Sequence, residues 1–359
     1  MKIGDCVKEL KEQMIKDKEF FWNHPEEEFK EYETSEYIIK RLKEMGYIDI
    51  KTHIAKTGIV ACIGNGNAPC ILFRADMDAV VMDESHRMKH TCGHDAHMTI
   101  LLAFANLLMQ NKDKINGTIK LLFQPAEEGI GGAKPMIDEG VLENPHVDKV
   151  FGLHVWSELP NCSVGIKQGP IMAATDPFEI IVKGKGGHAA LPEKCIDSIY
   201  IASQIVLGIN GIISNNIISS SEKVVLGITS IHGGSSYNLI PDIVEMKGIC
   251  RTYDNKLRDK LKTLVQEVSK NIAEAKGGCV EFRYPSSLPA VVNSKEEAEM
   301  VQELAETIVG KENVITDYKT MCSEDFSHFL LNRRGAFIFI GCRGEHYYPQ
   351  HNENFSVRY

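Results

Sequence analysis

TIKLLFQPAEEG, residues 118–129, joins a short apolar run to a pair of adjacent glutamates. Thr118 to Phe123 reads as a buried strand, and Pro125 separates it from Glu127 and Glu128. The same construction occurs twice more. Cys70 to Phe73 leads into Arg74-Ala75-Asp76-Met77-Asp78, and Val150 to Leu153 leads into His154. Helical patterns accompany these strands. Thr34 to Met45 carries apolar residues at Tyr37, Ile38, Leu42 and Met45 and stops at Gly46, and a second helix is expected from Ala96 to Gln110. Buried strands interleaved with helices indicate an α/β domain with a mostly parallel sheet covered on both faces. Sites in such sheets form beyond the carboxyl ends of the strands, so polar residues at three strand ends mark a candidate site.

Further candidate donors extend the set. Cys92-Gly93-His94-Asp95-Ala96-His97 places a thiol two residues from an imidazole, and Glu128, His154 and His351 follow along the chain. Structural zinc sites use paired ligands at tight spacing and close with four of them. This set is dispersed, mixes soft sulfur with hard oxygen, and leaves Glu127 over. Taken singly, each residue reads equally as a buried thiol, a core histidine or a solvated acidic turn. Taken jointly, Cys92, His94, Glu128, His154 and His351 exceed what one catalytic ion takes from protein. They point to two divalent ions bridged by the thiolate or by water. Glu127, opposite Glu128 in extended backbone, is then the general base that carries a proton from water to a leaving amine. Asp76 and Asp78, two residues apart, share a face and orient ligand imidazoles; an ion pair with Arg74 is the plainer alternative. Asp95 and His97 read as helix-capping residues.

From about Asp176 the texture changes. Phe178 to Lys183 alternates as a strand, a Gly-rich loop carries His188, and an apolar helix follows Asp197-Ser198. Val224–Ser230 and Ile243–Arg251 are strands joined through Gly233 to Asn238, a helix has Leu261, Val265, Val268 and Ile272 on one face, and Gly278 to Phe282 closes the series. Strand, helix, strand, strand, helix, strand is a two-layer α/β (ferredoxin-like) order. It reads as an inserted domain over 175–283, dividing a catalytic domain formed by 1–174 and 284–359. Ser294-Lys295-Glu296-Glu297 has the form of a capping box. His188, Asn238 and Arg251 are ordinary turn or surface residues by themselves; folded over the site, they supply oxyanion and substrate contacts.

The chain of 359 residues suits two domains. A net charge of −9 with no basic block argues against nucleic acid. The N-terminus has no apolar signal core, and the greasiest stretch, Ile199 to Ile213, is too short and too polar to span a bilayer. Ten dispersed cysteines then read as reduced thiols of a cytoplasmic protein.

Eight runs together resemble one family: RADMDA (74–79), CGHDAH (92–97), FQPAEEG (123–129), GLHVW (152–156), GKGGHAALP (184–192), NLIPD (238–242), SEDFS (323–327) and HNENF (351–355). They look like the amidohydrolase branch of the carboxypeptidase-G-type dinuclear metallopeptidases, which includes hippurate hydrolases, N-acyl-amino-acid amidohydrolases, N-acetyldiaminopimelate deacetylases and auxin-conjugate hydrolases. The resemblance implies a catalytic α/β domain with an inserted lid and dimerisation domain. It implies two divalent ions per subunit, manganese before zinc, cobalt or nickel, on Cys92, His94, Glu128, His154 and His351. It also implies Glu127 as base, catalytic or orienting roles for Asp76 and Asp78, and a lid histidine, here His188, that reaches a neighbouring subunit's site in a homodimer or higher homo-oligomer. The expected substrate is an N-acyl amino acid, N-acetyl, benzoyl or similar; a dipeptidase or aminopeptidase-like activity and a degenerate metal-retaining binding protein are the alternatives. The chain departs from the family pattern in three places. The segment from Asp78 to Cys92 is short, and in it Val80-Val81-Met82-Asp83-Glu84 stands where a leucine-proline pair is common, which is expected to reshape one pocket wall. Met321-Cys322 replaces a glycine pair. The sequence ends at Tyr359, where the resemblance leads one to expect a further helix whose absence would expose apolar surface.

Overall fold

The computed structural model of the chain describes residues 3–66, 68–129, 131–214, 223–344 and 347–357. They form two compact units. The first comprises Met1–Gly169, Val292–Tyr318 and Asp325–Tyr359; the second comprises Pro170–Val291 and Lys319–Glu324. In chain order the first unit begins with helices α1 (Ile3–Asn23) and α2 (Tyr32–Met45) and strands β1 (Asp49–Ile54), β2 (Gly58–Gly64) and β3 (Cys70–Asp76). It continues with α3 (His94–Gln110), β4 (Thr118–Gln124), β5 (Lys149–Pro160) and β6 (Val164–Gly165). The second unit supplies β7 (Ala174–Lys183), α4 (Ser198–Ser214), β8 (Val224–Gly233), β9 (Ile243–Thr252), α5 (Asn255–Glu274) and β10 (Cys279–Arg283). The chain then returns with α6 (Lys295–Val309), β11 (Val314–Ile315) and β12 (Arg334–Arg343). No described helix is long and apolar enough to cross a membrane.

The sheet of the first unit has the order β1-β2-β4-β3-β5-β12-β6-β11. Its four central strands run parallel: β4 with β3, β3 with β5, and β5 with β12. Parallel strands are buried on both faces, and β4 shows it, with six of its seven residues buried. One of those six is a lysine. Lys120, 2% exposed, sends Nζ to the carbonyls of Val141, Glu143 and Pro145 at 2.8–2.9 Å. The aliphatic stem thus lies in the core while the ammonium holds three backbone acceptors. The α3 side of the sheet packs through Met98, Leu101, Leu102 and Ala105 against Leu121 and Phe123. Elsewhere on α3, Ile100 and Phe104 share an apolar groove of about 370 Å³ with Met300 and Leu304 of α6.

The second unit has the sheet order β8-β9-β7-β10, antiparallel throughout. Its two helices bury Ile201, Ile205 and Ile209 of α4 and Leu261 and Val265 of α5 against Phe178, Ile180 and Met246. Asp254 caps α5 by accepting from the amides of Lys256 and Leu257. This is the expected two-layer order.

Several local expectations shift. Helix α3 starts at His94 rather than Ala96. The inserted unit is wider than 175–283, because backbone bonds from Thr320 to Ile171 and from Ala173 to Cys322 tie 319–324 to its edge. The capping box at Ser294 does not form: its hydroxyl accepts from the Gly335 amide, and Glu297 instead pairs with Lys149 at 3.0 Å.

Lys120→Met should remove three charge-assisted bonds and leave buried carbonyls unpaired, costing about 2–4 kcal/mol. Urea unfolding should show a lower midpoint at unchanged slope; an unchanged midpoint would mean that the ammonium contributes nothing net.

Candidate metal centre

Five segments of the first unit converge at the carboxyl ends of β3 and β4 and beside the middle of β5. Strand β3 ends on Asp76 and runs on to Asp78. Strand β4 ends on Gln124, and Ala126 adopts a left-handed backbone, φ 56°, that turns the chain into Glu127 and Glu128. Strand β5 carries His154, and the first turn of α3 carries His94 and His97. Gly93 enters that turn at φ 103°, where a Cβ would meet Val155 Cγ2 at 2.3 Å, so this approach of helix to strand admits only glycine. His351 is brought in by the C-terminal segment. Its amide donates to the Thr91 carbonyl, Gln350 binds Ser157 and the Val155 carbonyl, and Phe355 packs on Ala96 and Val155.

The donor atoms fall into overlapping groups. Cys92, His94 and His154 form one, Cys92, Glu128 and His351 a second, and His94, Glu127 and Glu128 a third, each with all ligand atoms within 4.8 Å. Cys92 Sγ lies 3.3 Å from His154 Nε2, and His351 Nε2 lies 3.2 Å from Glu128 Oε1. His94 Nε2 faces Asp76, Glu128 and Glu127 oxygens at 3.6, 3.7 and 3.9 Å. It is buried and makes no hydrogen bond. Donors sharing an ion with bonds of about 2.1 Å sit roughly 3–3.5 Å apart. Spacings of this order, the orphaned nitrogen and the mixture of sulfur, imidazole and carboxylate fit a pair of divalent ions that these residues would hold.

Around these atoms the remaining polar groups are closed. The His94 Nδ1–H donates to the Asp78 carbonyl at 2.9 Å, and Asp78 Oδ2 accepts the Glu128 amide at 2.8 Å. Asp78 therefore orients one imidazole and one carboxylate-bearing backbone. His97 Nε2 accepts the Val155 amide at 2.9 Å, which puts its proton on Nδ1, 2.6 Å from Asp76 Oδ1. With both nitrogens engaged, His97 is neither a cap nor a ligand. It holds Asp76, whose other oxygen takes Arg74 Nη1 at 2.7 Å. The ion pair with Arg74 and the orienting role thus coexist at Asp76. Arg74 also meets Asp325 at 2.9 Å, and Asp325 accepts from Gln124 and from the Ala133 amide. Asp95 binds Lys18 of α1 at 3.0 Å. Glu127 and Glu128 do not alternate as in a strand: the turn after Ala126 brings an oxygen of each toward His94.

Electrostatics reflect a site rich in carboxylate. Burial disfavours the His94 imidazolium, yet Asp76 and Asp78 outweigh it and hold the ring up to about 10. Burial, reinforced by Glu128 and Glu127, pushes the Cys92 thiol well above its usual range. Burial raises Glu128, but His351 and His94 bring it down to about 2. Burial and His97 depress His154.

The sequence model of Peptidase family M20/M25/M40 matches residues 72–359. The chain belongs to this family. It is 37% identical to thermostable carboxypeptidase 2 of Saccharolobus solfataricus, over 99% of this chain and 93% of that protein. It is 36% identical to N-acetyl-L-cysteine deacetylase of Bacillus subtilis, over 97% and 84%. A solved dinuclear metal-binding peptidase of the M20 family, also from Bacillus subtilis, superposes with a TM-score of 0.83 at 30% identity, covering 98% of this chain and 93% of that one. The M20 chain is accordingly a hydrolase of amide or peptide bonds in a metal-binding family.

Asp76, Asp78, Cys92, His94, Glu127, Glu128, His154 and His351 are all brought together in the first unit of this M20 chain. His188, Asn238 and Arg251 belong to the second unit. There the Ala189 amide donates to the Asn238 carbonyl, making His188 and Asn238 neighbours, while Arg251 Nη1 donates to the Met321 carbonyl. Gln124 and Asp325 join the buried network without having been singled out. Val80 and Val81 wall a cavity of about 310 Å³ beside Asp78, Glu128 and His351.

At roughly pH 8 the metal-free site keeps protons on His94 and Cys92, and ligation displaces them. Zn²⁺ uptake should therefore release at least one proton per chain and tighten as pH rises through the range below 10. Calorimetry in two buffers of different ionisation heat counts the protons; none released would remove both residues from the ligand set.

Proposed function

We propose that the protein hydrolyses the amide bond of N-acyl amino acids, giving a free amino acid and a carboxylate. The observation that carries this reading is Glu127. It is a carboxylate beside the donor groups that the set of Cys92, His94, Glu128, His154 and His351 leaves over, with an oxygen 3.9 Å from His94 Nε2. When bound, a pair of divalent ions supplies a polarised carbonyl and a more acidic water. Glu127 removes a proton as the water oxygen bonds to the carbonyl carbon, then returns it to the nitrogen as the carbon–nitrogen bond breaks. Asp78 keeps His94 and the Glu128 backbone in place, and Asp76 does the same for the α3 turn through His97. In the second unit, His188 and Asn238, both exposed, are the groups we assign to the oxyanion and to substrate polar atoms, together with Arg251. Exposed Ile231, Tyr237, Leu239 and Ile243 give that unit an apolar surface suited to pairing with a second copy. Manganese is the expectation from the family resemblance, and zinc is the alternative because it accepts a thiolate where manganese prefers oxygen. The relative named as a deacetylase of an N-acetyl amino acid supports the acyl reading. The carboxypeptidase relative favours a second one, release of a C-terminal residue from a peptide by the same chemistry.

Protein stripped by chelator and reloaded with manganese or zinc should release amino acid from a panel of N-acetyl, N-benzoyl and N-succinyl amino acids and short peptides. Metal-dependent turnover of the acyl members supports the first reading, and of peptides alone the second. Glu127→Gln should lower kcat about 10²–10⁴-fold with metal content retained; an unchanged rate would overturn its role as base.

A further inference from the structure

The loop after α1 contains a carboxylate that the reaction does not use. Glu31 is 0% exposed. Its Oε1 accepts the amides of Phe29 and Ala126, each at 3.0 Å, and its Oε2 accepts the Thr57 hydroxyl at 2.6 Å. Both amide donors are left-handed, Phe29 at φ 57° and Ala126 at φ 56°. Non-glycine residues hold that conformation only where their surroundings over-determine it. At Ala126 the constraint on one side is Pro125, which has no amide to donate, and on the other is Glu127 itself. The bond from Glu31 therefore anchors the backbone before Glu127, as the bond from Asp78 to the Glu128 amide anchors it after.

The same carboxylate ties two loops to each other. Residues 26–31 and 125–129 both border the 310 Å³ cavity, through Glu27, Glu28, Glu128 and Gly129. They meet again where Gly129 lies against the Glu28 carboxylate.

We propose that Glu31 is a positioning residue for Glu127: by holding the Ala126 amide it fixes the left-handed turn from which the general base departs. The role of Glu127 rests on the hydrolase reading above, whereas the state of the Ala126 amide does not. The mechanism needs oxygen atoms of the right reach, not negative charge. Glutamine keeps an acceptor at the Oε1 position. Aspartate keeps the charge but is one methylene too short to serve Ala126, Phe29 and Thr57 together.

The test compares Glu31→Gln, Glu31→Asp and Glu31→Ala in the metal-loaded full chain by hydrogen exchange and by kinetics. Exchange of the Ala126 amide should accelerate at least tenfold in the Asp and Ala variants, stay near wild type in Gln, and remain unchanged at 118–123 in all three. On whichever panel substrate the wild type turns over, kcat should fall at least tenfold in Asp with KM within threefold and metal content retained, while Gln stays within threefold. Unchanged exchange at Ala126, a Gln variant slower than Asp, or a lowered melting temperature with full kcat would each overturn the proposal. Should Glu31→Ala fail to fold, the order of Gln and Asp decides. If the wild type turns over no substrate, the hydrolase reading fails, and exchange at Ala126 still judges the anchor.

Discussion

A carboxylate taken out of water needs a donor at each oxygen, and the arrangement around Asp76 shows what meeting that need does to a fold. One oxygen takes the His97 ring and the other takes Arg74, both fully buried. His97 in turn accepts an amide of β5, and Arg74 reaches Asp325, which holds Gln124 at the end of β4 and the Ala133 amide. Strands β3, β4 and β5 and helix α3 are thereby joined end to end by polar bonds in a dry interior. Such bonds are short-ranged and directional, so the strand ends that carry the candidate ligands have one arrangement in which all of them are made.

The parts of this that could be read from sequence are those set by local pattern. Apolar runs ending on charged residues locate three central strands, and the close spacing in CGHDAH locates the helix entry. The order of elements after Asp176 suffices for the second layer. What escaped depends on partners far along the chain. His97 resembles a cap because its partners, Asp76 and Val155, lie 21 and 58 residues away. Ser294 has the spacing of a capping box, yet the Gly335 amide, 41 residues on, uses the hydroxyl. Strand β12 is a continuous apolar run buried beside β5, and without alternation periodicity does not separate it from a helix. The alternation argument for Glu127 and Glu128 assumed extended backbone, and the left-handed residue before them removes that premise.

Family membership and substrate choice rest on different features of the chain. The donor set and its buried partners belong to the strand ends, where packing leaves little freedom. The cavity walled by Val80 and Val81 and bordered by Glu27 and Glu28 is made of loops, and loops are where relatives of one fold diverge in what they accept. The acidic side chains there add to a site already crowded with carboxylate, so bound cations neutralise charge that the fold itself concentrates.

Lys120 lies far from any of this chemistry, yet it bears on where Glu127 ends up. Side chains alternate across a strand, so a slip of β4 by one residue would carry the ammonium to the opposite face, away from the carbonyls of Val141, Glu143 and Pro145. The apolar residues of this strand, Ile119, Leu121, Leu122 and Phe123, fall on both faces and offer little to penalise such a slip. A charge that must find three carbonyls acts as an index mark: the strand is in its proper pairing only when the lysine is served. That pairing also sets how far beyond the sheet the two glutamates emerge.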